Sequence, residues 1–385
     1  MRVAASPRFV VLAIAVAVAS AVAHLCTSAL PFQVGSLIDG YGLSATKAGL
    51  VGFFQVGALA LSMIVFSPVV HRYRPLNVCL LGAAIAVAAN VMIYLAPPLL
   101  ALLCCLAVVI GTGYGLTLTA AVAAAASSPV ADRLYAAGNS GALLIIVVML
   151  SAFPLAVHYL GPRGTFLAIP VLIILCVPLL LGFRSSAAGK AAVDLHAARF
   201  TGGMPLLVIW ALFSFGTGAM WAFAERIGAS LALSPQTVGW VLSISPFTGL
   251  IGTVLAAFCS ERFNRVTVLA VGLVGGGITC LAFATAGSLG VFAAAAILYW
   301  VFTMFIYVLL LGTAAQLDHS GRLGTLGTGC ERLAFAIGAP IGGLMVDYGS
   351  LRLIGITAAL SCSLIAPWFL IGVARLLRNA PAQLP

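Results

Sequence analysis

Charged side chains are too scarce in this sequence to cover a protein that folds in water. Only 7% of its 385 residues are Asp, Glu, Lys or Arg, and 63% are hydrophobic. About a quarter of a soluble domain is charged, because its surface must be hydrated. The composition therefore excludes a soluble domain and predicts an integral membrane protein whose surrounding partner is the lipid bilayer.

Apolar runs separated by charged or Gly- and Pro-rich joints predict twelve transmembrane helices of about 20 residues or more. The first six predicted spans are residues 8–32, 44–68, 76–96, 99–126, 134–158 and 164–183. The last six are residues 204–231, 235–259, 266–286, 289–315, 323–346 and 351–374. The first run follows two arginines, as in a signal peptide, but it is long enough for a full span and we expect it to be retained.

The two sets of six spans repeat one pattern. An offset of 190 residues (234 − 44) pairs Leu43, Ser44, Gly49, Arg72 and Gly82 with Leu233, Ser234, Gly239, Arg262 and Gly272. The sequence thus predicts an all-α membrane protein with two pseudo-symmetric six-helix bundles. We assign residues 1–184 and 204–385 to the bundles, and residues 185–203, which contain charges and no apolar run, to a cytoplasmic linker.

The basic residues lie mostly on one side of these spans. The formal net charge of +10 would suit a nucleic-acid partner only if the basic residues formed a stripe, and they do not. Among the basic residues in loops, only Lys47, Arg163, Arg226 and Arg352 fall on the opposite side of the membrane from the rest. The positive-inside rule therefore predicts a multi-pass protein of the inner (plasma) membrane with both termini in the cytoplasm. We expect a monomer.

Motifs for catalysis and for metal or cofactor binding are absent from the sequence. The nine cysteines lie in apolar runs without C-x-x-C spacing, so we expect no disulfide, metal or cofactor. The sequence contains no G-x-S-x-G, H-E-x-x-H or Walker motif, so we expect neither an enzyme nor an ATP-driven pump. An ion gradient would supply the energy, and the scarcity of acids favours protons over sodium.

Two local motifs resemble those of the major facilitator superfamily, and the resemblance covers essentially the whole chain. The family's G-x-L-x-D-R-x-G-R loop is matched in part by Ala257, Cys259, Glu261, Arg262, Asn264 and Arg265. In the first half the same register holds Ser67, Val69, His71, Arg72, Arg74 and Pro75, so a histidine replaces the usual acid. In the family this acid helps to latch the cytoplasmic helix ends, which makes His71, Glu261 and Arg262 gate candidates here.

Residues 338–343 (G-A-P-I-G-G) resemble the family's G-x-P-x-G-G run. Small residues let helices approach closely in lipid, where packing drives their association. The resemblance implies a transporter whose substrate site lies between the two halves near the middle of the membrane.

Glu331 and Arg332 are charged residues that no loop explains. They lie about nine residues into the eleventh span, roughly 13 Å from its start. A charge at that depth is costly unless it is paired or hydrated, and it is by default a functional candidate. Glu331 is our first candidate for a proton carrier, and Arg332 would hold that carboxylate or bind a substrate carboxylate. The alternative is a structural ion pair that joins two helices.

Other polar residues at mid-depth complete the predicted site. His24, the one histidine deep in a span, is a second proton carrier candidate because imidazole titrates near neutral pH, although a lone histidine is commonly a packing residue. Candidate substrate-binding residues, each alone more often a packing residue, are Gln55, Tyr114, Asn139, Trp300 and Tyr307. Glu225 and Arg226, near the outer end of the seventh span, form either an outer gate or a solvated helix end.

These features predict a secondary transporter of a small organic solute, carboxylate-bearing or amphipathic, which works by alternating access with proton coupling. A proton-antiporting exporter of drugs or metabolites is one alternative. It is weakened by the absence of the family's G-x-x-x-G-P-x-x-G-G run between Gly138 and Pro154. A non-transporting receptor or lipid-handling protein on the same scaffold is another.

Overall fold

The computed structural model describes residues 7–66, 69–128, 131–185, 203–318 and 322–379. Within these residues all regular elements are helical, and twelve helices are long and apolar enough to cross a membrane. The prediction of an all-α, multi-pass membrane protein is confirmed.

The chain divides into two compact units, Met1–His196 and Ala197–Pro385. Residues 186–202, most of the predicted linker, lie outside the described residues. The helices of the first unit are α1 (Pro7–Ser28), α2 (Leu30–Tyr41), α3 (Ala45–Phe66), α4 (Pro75–Leu95), α5 (Leu100–Ala126), α6 (Ala131–Leu160) and α7 (Thr165–Leu180). Short 3₁₀ turns at Val70–Arg72, Pro162–Gly164 and Leu181–Ser185 complete this unit.

The described residues of the second unit form ten α-helical segments. They are α8 (Met204–Ala222), α9 (Ala224–Ser230), α10 (Pro235–Ile244), α11 (Gly249–Arg262), α12 (Arg265–Ala284), α13 (Leu289–Leu317), α14 (Arg322–Tyr348), α15 (Leu351–Ala359), α16 (Ala366–Trp368) and α17 (Leu370–Asn379). A 3₁₀ turn at Ser245–Thr248 joins α10 to α11, and a π-helical segment at Leu360–Ile365 joins α15 to α16. Each of these two series forms one candidate membrane span, Pro235–Arg262 and Leu351–Arg378.

Among the described residues, four of the predicted spans are not single α-helices: residues 235–259 and 351–374 form the two series just described, and two other spans contain a break. Residues 8–32 and 204–231 were each expected to be one helix, but the first breaks at Ala29 and the second at Phe223. Pro31, at the start of α2, has no backbone N–H to continue the hydrogen bonding of α1. At Phe223 the backbone turns to φ −110° and ψ 10°, which lies outside the α-helical region. Helix α2 continues to Tyr41, where Gly42 ends it in the left-handed conformation (φ 66°).

Close contacts at glycine hold α14 against α8. A Cβ atom added at Gly338 would lie 2.5 Å from the carbonyl oxygen of Phe215, and one added at Gly218 would lie 2.4 Å from that of Phe335. Both separations are far below van der Waals contact, so the two backbones approach as closely as glycine allows. This contact fixes the position of Glu331 and Arg332 relative to α8.

Candidate functional site

Glu331 and Arg332 form a weak ion pair on α14. The Nε atom of Arg332 lies 3.7 Å from Oε2 of Glu331, which is beyond hydrogen-bonding distance, and the two side chains are 23% and 16% exposed. Oε2 of Glu331 is itself buried and accepts no hydrogen bond from any described residue. A buried carboxylate without hydrogen bonds is costly, whereas a protonated carboxyl group is tolerated much better. The geometry therefore suits a group that gains and loses a proton.

Three helices surround this carboxyl group. Gly327, one turn before Glu331, lies against the indole ring of Trp210 on α8, because a Cβ atom there would be 2.0 Å from Cζ3. Trp210 packs edge-on against Tyr307 of α13, with ring centroids 6.1 Å apart. Tyr307 lies within electrostatic range of both Glu331 and Arg332. The structure thus brings three predicted site residues together and adds Trp210.

A second group of aromatic residues lies later in α8 and earlier in α13. Trp221 stacks on Tyr299 with the ring planes 13° apart and the centroids 5.6 Å apart. Trp300 meets both rings edge-on, at 5.1 and 5.9 Å. The hydroxyl group of Tyr299 donates a 2.8 Å hydrogen bond to the carbonyl oxygen of Thr217. The indole N–H of Trp300 is buried and has no acceptor among the described residues.

In the first unit, Gln55 and Tyr114 belong to one buried polar cluster. The Nε2 atom of Gln55 donates hydrogen bonds to Oε1 of Gln33 (2.9 Å) and to the carbonyl oxygen of Cys26 (3.2 Å). Tyr114 is fully buried close to Cys26 and Asn90, yet its hydroxyl group makes no hydrogen bond of standard geometry within the described chain. Asn90 donates to the carbonyl oxygen of Ala86 (2.8 Å). The sequence did not single out Gln33 and Asn90, because each is a lone polar residue in an apolar run.

His24 and Asn139 have different surroundings. Nδ1 of His24 lies 2.7 Å from the carbonyl oxygen of Ser20, one turn earlier in α1, and the side chain is half-buried. This hydrogen bond to the helix backbone fixes the orientation of the imidazole ring. Asn139 is exposed on α6.

The gate candidates lie at helix ends. Glu225 and Arg226 in α9 form an ion pair of 2.8 Å between Oε2 and Nε, with about one fifth of each side chain exposed. Glu261 and Arg262 are exposed at the end of α11, where the guanidinium group of Arg262 lies 4.0 Å from the ring centroid of Phe258. His71 falls in the 3₁₀ turn Val70–Arg72, but its side chain lies outside what the structure describes.

Metal-binding geometry does not occur in the part of the chain that the structure describes. There, no three His, Cys, Asp or Glu side chains are arranged to hold a metal ion.

Solved structures of transporters share this fold. No family model and no curated protein matches the sequence. A D-xylose-proton symporter is 13% identical, with 94% of this chain and 96% of that chain covered and a TM-score of 0.69. A peptide transporter is 15% identical, with 95% of both chains covered and a TM-score of 0.73. A bacterial homolog of the human lysosomal transporter Spinster is 14% identical, with 97% and 96% covered and a TM-score of 0.67. The chain therefore shares the fold of these transporters, as the sequence motifs indicated.

Proposed function

We propose that this protein is a secondary transporter that moves a small organic solute across the membrane by alternating access, coupled to protons. The observation that carries the proposal is the Glu331 carboxyl group, which lies buried in a membrane-spanning helix with an oxygen atom that accepts no hydrogen bond from the described residues. Such a residue is costly to keep unless it functions. The proton symporter and the peptide transporter of the same fold support the assignment.

Arg332 would couple the solute to the proton. While Arg332 pairs with Glu331, the carboxylate form is stabilised by the adjacent positive charge. A solute carboxylate that binds Arg332 competes for that charge and so favours the protonated form of Glu331. Because such linkage is reciprocal, protonation of Glu331 also strengthens solute binding, which is the thermodynamic requirement for symport.

A cationic solute would reverse the direction of coupling. The unpartnered oxygen of Glu331 is also a suitable contact for a cation. A cation that binds there displaces the proton, and the protein then acts as an antiporting exporter. The charge of the solute therefore distinguishes the two forms of transport.

The other candidate residues have roles in the same transport cycle. His24 serves as a second proton carrier, and Gln55, Tyr114, Asn139, Trp300 and Tyr307 bind the solute. The pair Glu225 and Arg226 gates one side, while His71, Glu261 and Arg262 latch the other. We place the protein as a monomer in the inner (plasma) membrane, with bundles 1–184 and 204–385 and cytoplasmic termini.

The proposal is tested by comparing Glu331→Gln with Asp347→Asn, which changes an exposed acid near the end of the same helix. A thermal-shift screen of organic acids, amines and peptides first identifies a ligand, because a ligand stabilises the state that binds it. Uptake of the best hit is then measured in proteoliposomes with an imposed pH gradient. The parent and Asp347→Asn should accumulate the solute, whereas Glu331→Gln should only exchange it. Accumulation by Glu331→Gln contradicts the proton role of Glu331, and the absence of any flux in the parent contradicts transport.

A further inference from the structure

Two buried hydroxyl groups in the second unit lack the backbone hydrogen bond that buried hydroxyl groups in helices ordinarily make. Buried serine and threonine hydroxyls in helices ordinarily bond to a carbonyl oxygen one turn earlier in their own helix. Thr217 and Thr313 do so, at 3.0 Å to Phe213 and 2.7 Å to Leu309. Ser214 of α8 and Thr303 of α13 have buried hydroxyl groups that make no such bond to the described residues.

The contacts between α8 and α13 place these two hydroxyl groups at the same level. Trp210 packs on Tyr307, and Thr217 accepts the hydrogen bond of Tyr299, so residue numbers rise along one helix as they fall along the other. Ser214 lies between Trp210 and Thr217, and Thr303 lies midway between Tyr299 and Tyr307. The hydroxyl group of Thr303 is close to that of Tyr299, without a hydrogen bond of standard geometry.

Indole N–H groups extend this row of unsatisfied polar groups in both directions. The N–H groups of Trp210 and Trp300 are also buried and without acceptors in the described residues. We call Trp210, Ser214, Trp300 and Thr303 the donor row. On α13, Trp300 and Thr303 share one helix face with Tyr307, because residues three, four and seven positions apart lie on the same side. Because Trp210 lies at the level of Tyr307, the row extends from that level to Trp300, a distance of seven residues along α13, or about 10 Å.

The chemistry of the donor row defines what would occupy it. A buried polar group left without a partner is costly, so an occupant that supplies the partners is favoured. An indole N–H only donates and a hydroxyl group can donate, so the occupant must carry acceptor atoms. Aromatic rings at both ends, Trp210 with Tyr307 and Trp221 with Trp300, favour a flat body. At the Tyr307 end lies the positive charge of Arg332.

We propose that the donor row binds the body of the substrate, and that the substrate is a planar aromatic carboxylate about 10 Å long that carries an oxygen acceptor on its ring. Its carboxylate binds Arg332, and its ring oxygen accepts a hydrogen bond at the Trp300 end. This inference rests on the proposed transport function and specifies the solute. An uncharged sugar would meet the aromatic rings but would offer no carboxylate to Arg332.

Matched small molecules test the class of ligand. The purified protein is titrated with 4-hydroxycinnamate, with 3-(4-hydroxycyclohexyl)propanoate, with 4-hydroxycinnamamide and with D-xylose. The second compound lacks the flat ring, the third lacks the charge, and the fourth lacks both. We expect 4-hydroxycinnamate to bind most tightly. Equal or tighter binding of the cyclohexyl acid, the amide or the sugar overturns the inference.

Substitutions test the donor row itself. Thr303→Val and Ser214→Ala each remove one hydroxyl group and should weaken 4-hydroxycinnamate binding about 5-fold, the value of one neutral hydrogen bond. Thr313→Val is the control, because it removes a hydroxyl group from the same helix that is bonded to its own backbone. Without ligand, Thr303→Val should be at least as stable as the parent, since it loses a buried group with no partner. An equal loss of affinity in Thr313→Val, or no loss in Thr303→Val and Ser214→Ala, overturns the inference.

The two proposals fail in different ways. Binding of 4-hydroxycinnamate without flux of any solute in proteoliposomes contradicts the transport function. Flux of an amine, a peptide or a sugar, without binding of 4-hydroxycinnamate, contradicts the aromatic carboxylate alone and leaves transport intact.

Discussion

Gly111 on α5 lies directly against the backbone of Gln55 on α3. A Cβ atom added at Gly111 would lie 2.0 Å from the carbonyl oxygen of Gln55, a distance that no real Cβ atom adopts. Because that oxygen belongs to the backbone, a larger residue at position 111 must push the two helices apart. The same contact holds Gln55 where its side chain reaches Gln33 and Cys26.

Gly111→Ala should therefore lower the stability of the protein. Forcing a methyl group into packed helices costs about 1–3 kcal/mol. The control is Gly57→Ala on α3, where an added Cβ atom meets no described atom within 4 Å. Alanine is favoured over glycine in helices by up to about 1 kcal/mol, so Gly57→Ala should be neutral or slightly stabilising. Thermal unfolding of both variants in detergent measures the difference, and similar midpoints would contradict close packing at Gly111.

Arg163 connects three segments of the first unit. Its Nε donates to the carbonyl oxygen of Gly40 (2.8 Å) and its Nη1 donates to that of Ala96 (3.3 Å). Its guanidinium group also lies 4.0 Å from the ring centroid of Tyr41. Hydrogen bonds from a charged group contribute about 1.5–3 kcal/mol each, more than those between neutral groups.

We expect Arg163→Ala to destabilise the protein by roughly 2–3 kcal/mol, since it removes both hydrogen bonds and the cation–π contact. Arg163→Lys should recover only part of this loss, because an ammonium group lacks the planar fork that reaches two carbonyl oxygens. Arg352→Ala is the control, as Arg352 is exposed at the start of α15. Chemical denaturation in detergent tests the order, and equal stability of Arg163→Ala and Arg352→Ala would contradict it.

The sequence predicted the membrane helices because apolar length alone specifies a span. It did not predict the breaks at Ala29 and Phe223, because both lie within continuous apolar runs; Pro31 follows the first break but does not interrupt its run. The backbone at Phe223 leaves the helical region although nothing in the local sequence marks a turn. Such a break depends on the packing of neighbouring helices, which periodicity does not report.

The sequence singles out the charged residues of the candidate site and some of its aromatic residues, but not its hydroxyl groups. Glu331 and Arg332 stand out in any reading of the sequence, because charge is rare in a membrane span. Ser214 and Thr303 do not, because hydroxyl groups in membrane helices usually bond to their own backbone. Only the structure shows that these two make no such bond, while Thr217 and Thr313 do.

Gly327 on α14 determines the position of Trp210 beside the site. A Cβ atom at Gly327 would lie 2.0 Å from Cζ3 of the indole ring, so Gly327→Ala must displace the ring or the helix. We expect lower stability, shifted tryptophan fluorescence and weaker binding of any ligand that contacts Trp210. Gly324→Ala, on the same helix, is the control because an added Cβ atom meets no described atom within 4 Å there. Unchanged fluorescence in Gly327→Ala would contradict this placement of Trp210.

The buried phenol group of Tyr41 should make the free energy of unfolding depend on pH in the alkaline range. Its hydroxyl group donates a hydrogen bond to the carbonyl oxygen of Ile93 and the residue is buried, while its ring lies beneath Arg163. Burial raises the pKa of Tyr41 to about 12, and the charge of Arg163 only partly opposes that effect. The folded state therefore holds the phenol proton more tightly than the unfolded state, in which the pKa is about 10. The resulting stabilisation is complete below pH 10 and is lost as the pH rises through about 12.

The free energy of unfolding of the parent should consequently fall more steeply than that of Tyr41→Phe between pH 10 and 12. Between pH 7 and 9 the difference between the two should stay constant at about 1 kcal/mol, the usual contribution of one hydrogen bond. Tyr159→Phe controls for the substitution, because it removes a hydroxyl group from a ring that is 79% exposed. Denaturation at a series of pH values provides the test. A difference between the parent and Tyr41→Phe that stays constant up to pH 12 would show that the Tyr41 phenol is not held in the buried, protonated form.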